Sequence, residues 1–276
     1  MSRGVSPSDS SSTPLLVADR IALTVSAFLL SAAALSWVAA YYLMPLMSAP
    51  GPEMRGVASL VSSLSLTSVT LFELIWVIAM VAMMFPAMIP IILFYNKIAT
   101  NVEPNPSMAR AVGTPLFLLG YLVTYAGLGL LAYFSVFFAL RMASSLPALS
   151  SLAFVTPSLV LVSAGVYQQS PLKTRCLSYC ASPVSFFALH SKGGLLGSVR
   201  MGFSHGEYCV GCCWAYTLVM LVVAGMSLPF MAIFAGVIAL EKVIVRGANW
   251  FSRTIAAGFI LLGITALFAP GLLVVL

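Results

Sequence analysis

His205-Gly-Glu-Tyr-Cys209-Val-Gly-Cys212-Cys213 runs without a break into Trp214–Phe234, an apolar stretch that carries no charge. About 20 apolar residues in a helix cross the hydrocarbon core of a bilayer, so a stretch of this kind is read as membrane-embedded. The join Met226-Ser-Leu-Pro229 divides it, because a tight turn there ends one helix and starts another. At 100° per residue, His205, Cys209, Cys212 and Cys213 fall within about a 100° arc, so one helix face can present all four side chains.

The rest of the chain agrees with a membrane setting. Of 276 residues, 61% are hydrophobic and 7% charged, and the mean hydropathy is +1.06. These values place the chain in the all-α class, as a polytopic transmembrane helix bundle. No internal repeat and no long polar stretch divides it, so residues 21–276 are expected to form one domain. Residues 1–20, with the Ser-rich Ser6–Thr13, are expected to be a disordered cytoplasmic tail. A net charge of +6 would suggest nucleic acid in a soluble protein, but here the basic residues sit between apolar runs, where they set membrane orientation. Nucleic acid is therefore not an expected partner; the lipid bilayer is.

Apolar runs near 21–44, 69–96, 113–140, 152–169, 203–225, 228–244 and 254–275 predict about seven helices. The fourth and sixth are short and interrupted by Gly and Pro, and without them the count is five or six. With the N-terminus inside, the cytoplasmic segments collect Arg3, Arg20, Lys97, Arg110, Lys173, Arg175, Lys192, Arg200, Lys242, Arg246 and Arg253, and only Arg55 and Arg141 lie outside. That asymmetry predicts a multi-pass protein of the inner or plasma membrane with a cytoplasmic N-terminus and an external C-terminus.

All five cysteines then share the cytoplasmic side: Cys176 and Cys180 in Ser170-Pro-Leu-Lys-Thr-Arg-Cys176-Leu-Ser-Tyr-Cys180, and the three that follow His205. A reducing compartment disfavours structural disulfides and leaves thiolate ligands or small buried apolar side chains as the alternatives. A second soft element is the ladder Met80, Met84 and Met88, at a spacing of four with Met83 beside it. Thioethers are neutral ligands that suit Cu(I), although methionine also fills apolar cores. Met88 and Cys212 lie at similar helical distances from Lys97 and Arg200, so the ladder and the cysteines are expected to face each other. Pro86 and Pro90 predict a kink near that depth. Glu73 and Glu241 are intramembrane acids that need a partner, water or a function, with Lys242 available to draw Glu241 towards the interface. His190, without a nearby cysteine in sequence, reads as solvated.

The segments Ala82-Met-Met-Phe-Pro86, Gly165–Cys176, His205–Trp214 and Glu241-Lys242 carry a resemblance. Over about residues 70 to 250 the chain resembles the bacterial and archaeal family of predicted metal-binding integral membrane proteins, some of which are described as copper chaperones. The resemblance falls on Met83, Met84, Pro86, Cys176, Cys180, His205, Cys209, Cys212, Cys213, Trp214 and Glu241, and implies a metal-related role. The family's usual Arg after the second loop cysteine, Met three residues after the Trp and Asn after the Met of the turn are replaced by Ala181, Thr217 and Ser227.

Thiolate and imidazole suit copper or zinc, and the methionine ladder favours Cu(I). The expected ligands are Cys209, Cys212 and Cys213, with His205 and the Cys176/Cys180 pair in transfer, Met83, Met84 and Met88 beside them, and Glu241 as a further candidate. Lys173 or Arg175 is expected to offset thiolate charge. The leading expectation is a non-enzymatic protein that accepts or buffers Cu(I), with a membrane cuproenzyme or a soluble metallochaperone as partner. A thiol-disulfide oxidoreductase using Cys209 and Cys212 is the alternative, and a structural subunit of a membrane complex a third. No nucleotide loop, haem attachment sequence or catalytic triad is present to support another chemistry.

Overall fold

The computed structural model describes residues 13–43, 55–102, 109–145, 155–245 and 249–268. Ten helices make up the described residues, with no strand among them: α1 Thr13–Leu43, α2 Arg55–Val61, α3 Leu66–Val102, α4 Thr114–Ser145, α5 Thr156–Gln168, α6 Pro171–Ala181, α7 Pro183–His190, α8 Gly194–Val222, α9 Leu228–Ala239 and α10 Asn249–Phe268. A π-helical turn, Ala109–Gly113, leads into α4, and another, Leu240–Ile244, extends α9. Each expected apolar run falls on a helix. Residue 44, residues 152–154 and residues 269–275 of those runs lie outside the described residues, as do residues 1–12 of the expected tail; α1 begins within that tail, at Thr13.

Among the described residues, four helical stretches are long and apolar enough to cross a membrane: Ala22–Leu43, Leu66–Ile98, Ala111–Ser145 and Asn249–Phe268. The fourth and sixth runs form shorter helices, α5 of 13 residues and α9 of 12. Proline sets where several of these helices begin. Ser170-Pro171 and Ser182-Pro183 each place a serine at the N-cap, accepting from Lys173 N and Ser185 N, and a proline in the first turn, where its missing N–H costs nothing. Pro86 and Pro90 lie instead inside α3, which is continuous through both. The expected tight turn after α8 is present: Gly225 and Met226 take φ of 55° and 56°, and Met226 N donates to Met220 O.

Helices α4 and α8 make the most extensive contact of the bundle, followed by α5 with α10 and α1 with α3. Close approach of backbones makes the first two possible. A Cβ on Gly202 would lie 1.9 Å from Phe117 O and one on Gly120 2.1 Å from Val199 O, so only glycine fits at either crossing point. The α5–α10 contact uses Gly165 against Ala256 O and Gly263 against Ser158 O in the same way.

The helix ends lie at two levels. Tyr95 at the end of α3 pairs with Ser198 at the start of α8 (2.7 Å), and Asn96 accepts from Thr114 at the start of α4 (3.2 Å). The end of α9 instead meets α8 at Cys209, through Lys242, roughly 16 Å further along the helix. Helices α3, α4 and α8 thus run past α9, and α7 packs on their projecting part through Phe186 and Phe187.

Candidate metal site

Helix α8 carries His205, Cys209, Cys212 and Cys213 on its buried face, as the arc predicted; none is more than 1% exposed. Gly206 lets Thr124 of α4 come close, and Gly211 does the same for Cys176 of α6. Between these neighbours the sulfur atoms of Cys180, Cys209 and Cys212 lie within 4.8 Å of one another, all buried. Cys213 Sγ is 3.3 Å from Cys212 Sγ, so four thiols from two helices form one group.

Cys209 has the richest surroundings. Lys242 Nζ donates to its Sγ at 2.8 Å, Tyr125 Oη donates at 3.2 Å, and Tyr121 Oη is also 3.2 Å away. An ammonium and two phenols therefore converge on one buried sulfur. Met84 joins them, its Sδ 3.9 Å from Lys242 Nζ. Tyr121 and Tyr125 stand one turn apart on α4, and Trp76 Nε1 fixes that turn by donating to Tyr125 O at 3.0 Å. Sequence reasoning missed both tyrosines and the role of Lys242. A signal existed, namely a lysine in an otherwise apolar run and tyrosines at i and i+4, but nothing local says which helix they face.

His205 packs between Phe117, Tyr121 and Phe186, with ring centroids 5.0–6.1 Å away, and its Nδ1 has no hydrogen-bond partner among the described residues. It stacks on the tyrosine that reaches Cys209. Cys176, half-buried, lies against Gly211 and does not join the triad of sulfurs that includes Cys180. Burial pushes its thiol pKa above the ordinary value. Met80, Met83 and Met88 are buried in the helical core, but of the ladder Met84 is the member that reaches Lys242.

Glu241 belongs to a different network. Lys173 Nζ contacts its Oε1 at 2.5 Å, Ser252 Oγ donates to the same oxygen at 2.7 Å, and Tyr216 Oη donates to Oε2 at 3.1 Å. Lys173, 1% exposed, also donates to Gln168 Oε1 and lies over the Tyr216 ring. Glu241 therefore does not snorkel to the interface beside Lys242, and the cation at the thiols is Lys242 rather than Lys173 or Arg175. Adjacent residues of one π-helical turn serve the two networks. Glu73 lies against Gly129 of α4, and neither carboxylate oxygen has a hydrogen-bond partner among the described residues. His190, expected to be solvated, is partly exposed and also held by the protein: Nδ1 is 3.1 Å from Phe186 O and Nε2 3.3 Å from Tyr208 Oη.

A family model described as PpoB2, copper chaperone, matches residues 73–266, which is most of the chain and includes all five cysteines. The chain belongs to this copper chaperone family. The match begins at Glu73, before the methionine ladder, and ends within α10, so the family segment contains both the thiol group and the Glu241 network. Neither a curated protein nor a solved structure matches the chain.

Proposed function

We propose that this member of the copper chaperone family is an integral membrane protein that takes up Cu(I) at the buried thiols of Cys180, Cys209, Cys212 and Cys213 and passes it to a membrane cuproenzyme. The observation that carries the reading is the convergence of three thiols from α6 and α8 within 4.8 Å, in a chain whose family is that of a copper chaperone. Soft sulfur donors select soft metals, and a low coordination number suits Cu(I), which two or three of these sulfurs satisfy. Two thiolates around a monovalent ion carry one negative charge, and Lys242, already 2.8 Å from Cys209, offsets it where an uncompensated charge would be costly.

His205, with its unpartnered ring nitrogen, and Met84 stand next to the thiols as transfer ligands. Cys176, half-buried beside Gly211, is suited to entry or exit of the ion rather than to storage. In this reading the chain crosses the membrane seven times with its N-terminus in the cytoplasm, where a soluble metallochaperone supplies the metal.

Metal analysis of protein purified under reducing conditions tests the proposal. Wild-type protein is expected to bind about one Cu(I), with sulfur scatterers in its X-ray absorption spectrum. Cys209→Ser/Cys212→Ser/Cys213→Ser protein is expected to lose that copper. Absence of copper from reconstituted wild-type protein, or equal loading of the triple variant, refutes the reading. Zinc retained in preference to copper refutes the choice of metal.

A further inference from the structure

Three elements supply the thiol group: α6 with Cys180, α8 with Cys209, Cys212 and Cys213, and the π-helical turn Leu240–Ile244 with Lys242. Each of the three also contributes to one carboxylate cluster. Lys173 Nζ of α6 lies 2.5 Å from Glu241 Oε1, Tyr216 Oη of α8 donates to Oε2 at 3.1 Å, and Glu241 itself belongs to the turn. Ser252 Oγ of α10 donates to Oε1 at 2.7 Å, so both oxygens are held. The Lys173 and Glu241 side chains are no more than 2% exposed.

The spacing along the two helices matches. Seven residues, about two turns, separate Lys173 from Cys180 on α6 and Cys209 from Tyr216 on α8. The helices run in opposite senses here, with the carboxylate bridging them at one level and the sulfurs meeting at the other. Two separated contacts fix the rotation and register of α6, a helix of 11 residues, where one alone would let it pivot.

We infer that Glu241 is a positioning residue for the thiol group and not a ligand: its carboxylate ties α6, α8 and the π-helical turn together so that Cys180, Cys209 and Lys242 converge. The inference rests on the thiol group being the metal site proposed above. An ionised carboxylate suits the role, since it only accepts and can take several donors at once. A buried ion pair adds little net stability over an apolar pair of similar volume, but its directional bonds specify one arrangement. Three donors occupy Glu241 and its helical partners stand two turns from the sulfurs, so it does not share an ion with them.

The test reads the geometry of the thiols without metal. In a Cys176→Ser background, diamide takes two electrons and two protons from a pair of thiols, and peptide mass spectrometry locates the disulfide formed. In otherwise wild-type protein Cys180 is expected to join Cys209 or Cys212, linking α6 to α8. Lys173→Met/Glu241→Gln removes both charges at similar volume, which is tolerated where loss of one partner strands a buried charge. This double variant is expected to slow the crosslink, and to weaken Cu(I) binding, about tenfold or more. Tyr216→Phe removes one hydrogen bond and no charge, and is expected to slow the crosslink about threefold. Gly263→Ala puts a Cβ 2.9 Å from Ser158 O and so disturbs the α5–α10 contact instead. Its melting temperature is expected to fall while its crosslinking rate stays within about twofold of wild type. A wild-type rate in the double variant, or in Tyr216→Phe should the double variant not fold, overturns the inference, as do equal losses in Gly263→Ala. If wild-type protein binds no copper yet the double variant slows the crosslink, the positioning role stands and the copper reading falls.

Discussion

Cys209 differs from its neighbours in what surrounds it. Cys212 donates to Cys209 O at 3.2 Å and touches Cys213, whereas Cys209 receives an ammonium and two phenols. Among the described residues Lys242 is thus the one formal cation at the thiols, and in a buried site its charge is screened less than at a surface. Replacement by methionine keeps the length of the side chain and its apolar stem while removing the charge. Lys242→Met is expected to lower Cu(I) affinity about tenfold to a hundredfold, each tenfold being about 1.4 kcal/mol. Lys242→Arg is expected to recover most of the loss. Competition with a chromophoric Cu(I) chelator measures both, and an unchanged affinity in Lys242→Met would remove this lysine from the charge balance of the site.

At the scale of elements, the pairing of α4 with α8 holds the two tyrosines against Cys209, and glycine makes it possible. A side chain at Gly202 would collide with the Phe117 carbonyl at 1.9 Å, a backbone atom that cannot rotate away. Gly202→Ala is therefore expected to destabilise the protein by about 1–3 kcal/mol, the usual range for overpacking. Gly236→Ala, where a Cβ meets nothing within 4 Å, is expected to be neutral or slightly stabilising, since alanine is the better helix former. Thermal unfolding in detergent compares the two, and equal shifts would discount the crossing point. The helices themselves were legible in the chain, because an apolar run and its flanking Ser-Pro or Gly residues are local signals. So was the shared face of His205, Cys209, Cys212 and Cys213, which follows from helical period alone. What could not be read was which helices meet. Cys176 and Cys180 share a face of α6, yet one turn of separation puts Cys180 among the sulfurs and Cys176 against Gly211. Likewise Glu241 and Lys242 are neighbours in sequence that serve different networks, because successive side chains on a helix point about 100° apart.

For the whole molecule, burial of basic residues bears on how many times the chain crosses and which way it faces. The charge asymmetry expected from the sequence is altered at two positions, since Lys173 and Lys242 are buried in ion-pair and thiol networks and cannot act as interfacial anchors. Arg20, Lys97, Arg175, Lys192, Arg200 and Arg253 are exposed and available for that role in the proposed topology, which sets exposed Arg141 on the opposite side. The weakest link in a seven-span chain is α5, whose 13 residues cover only about 20 Å, less than the hydrocarbon core of about 30 Å. Ser144 at the end of α4 and Ser191 between α7 and α8 are both exposed and bracket that helix. In a Cys176→Ser background, which leaves only buried native thiols, Ser144→Cys is expected to react with a membrane-impermeant maleimide added to intact cells. Ser191→Cys is expected to react only after permeabilisation. Labelling of both from outside, or of both only after permeabilisation, would mean that α5 does not cross, giving fewer than seven spans. The reverse pattern would keep the crossing and invert the protein, putting the exposed arginines on the external face.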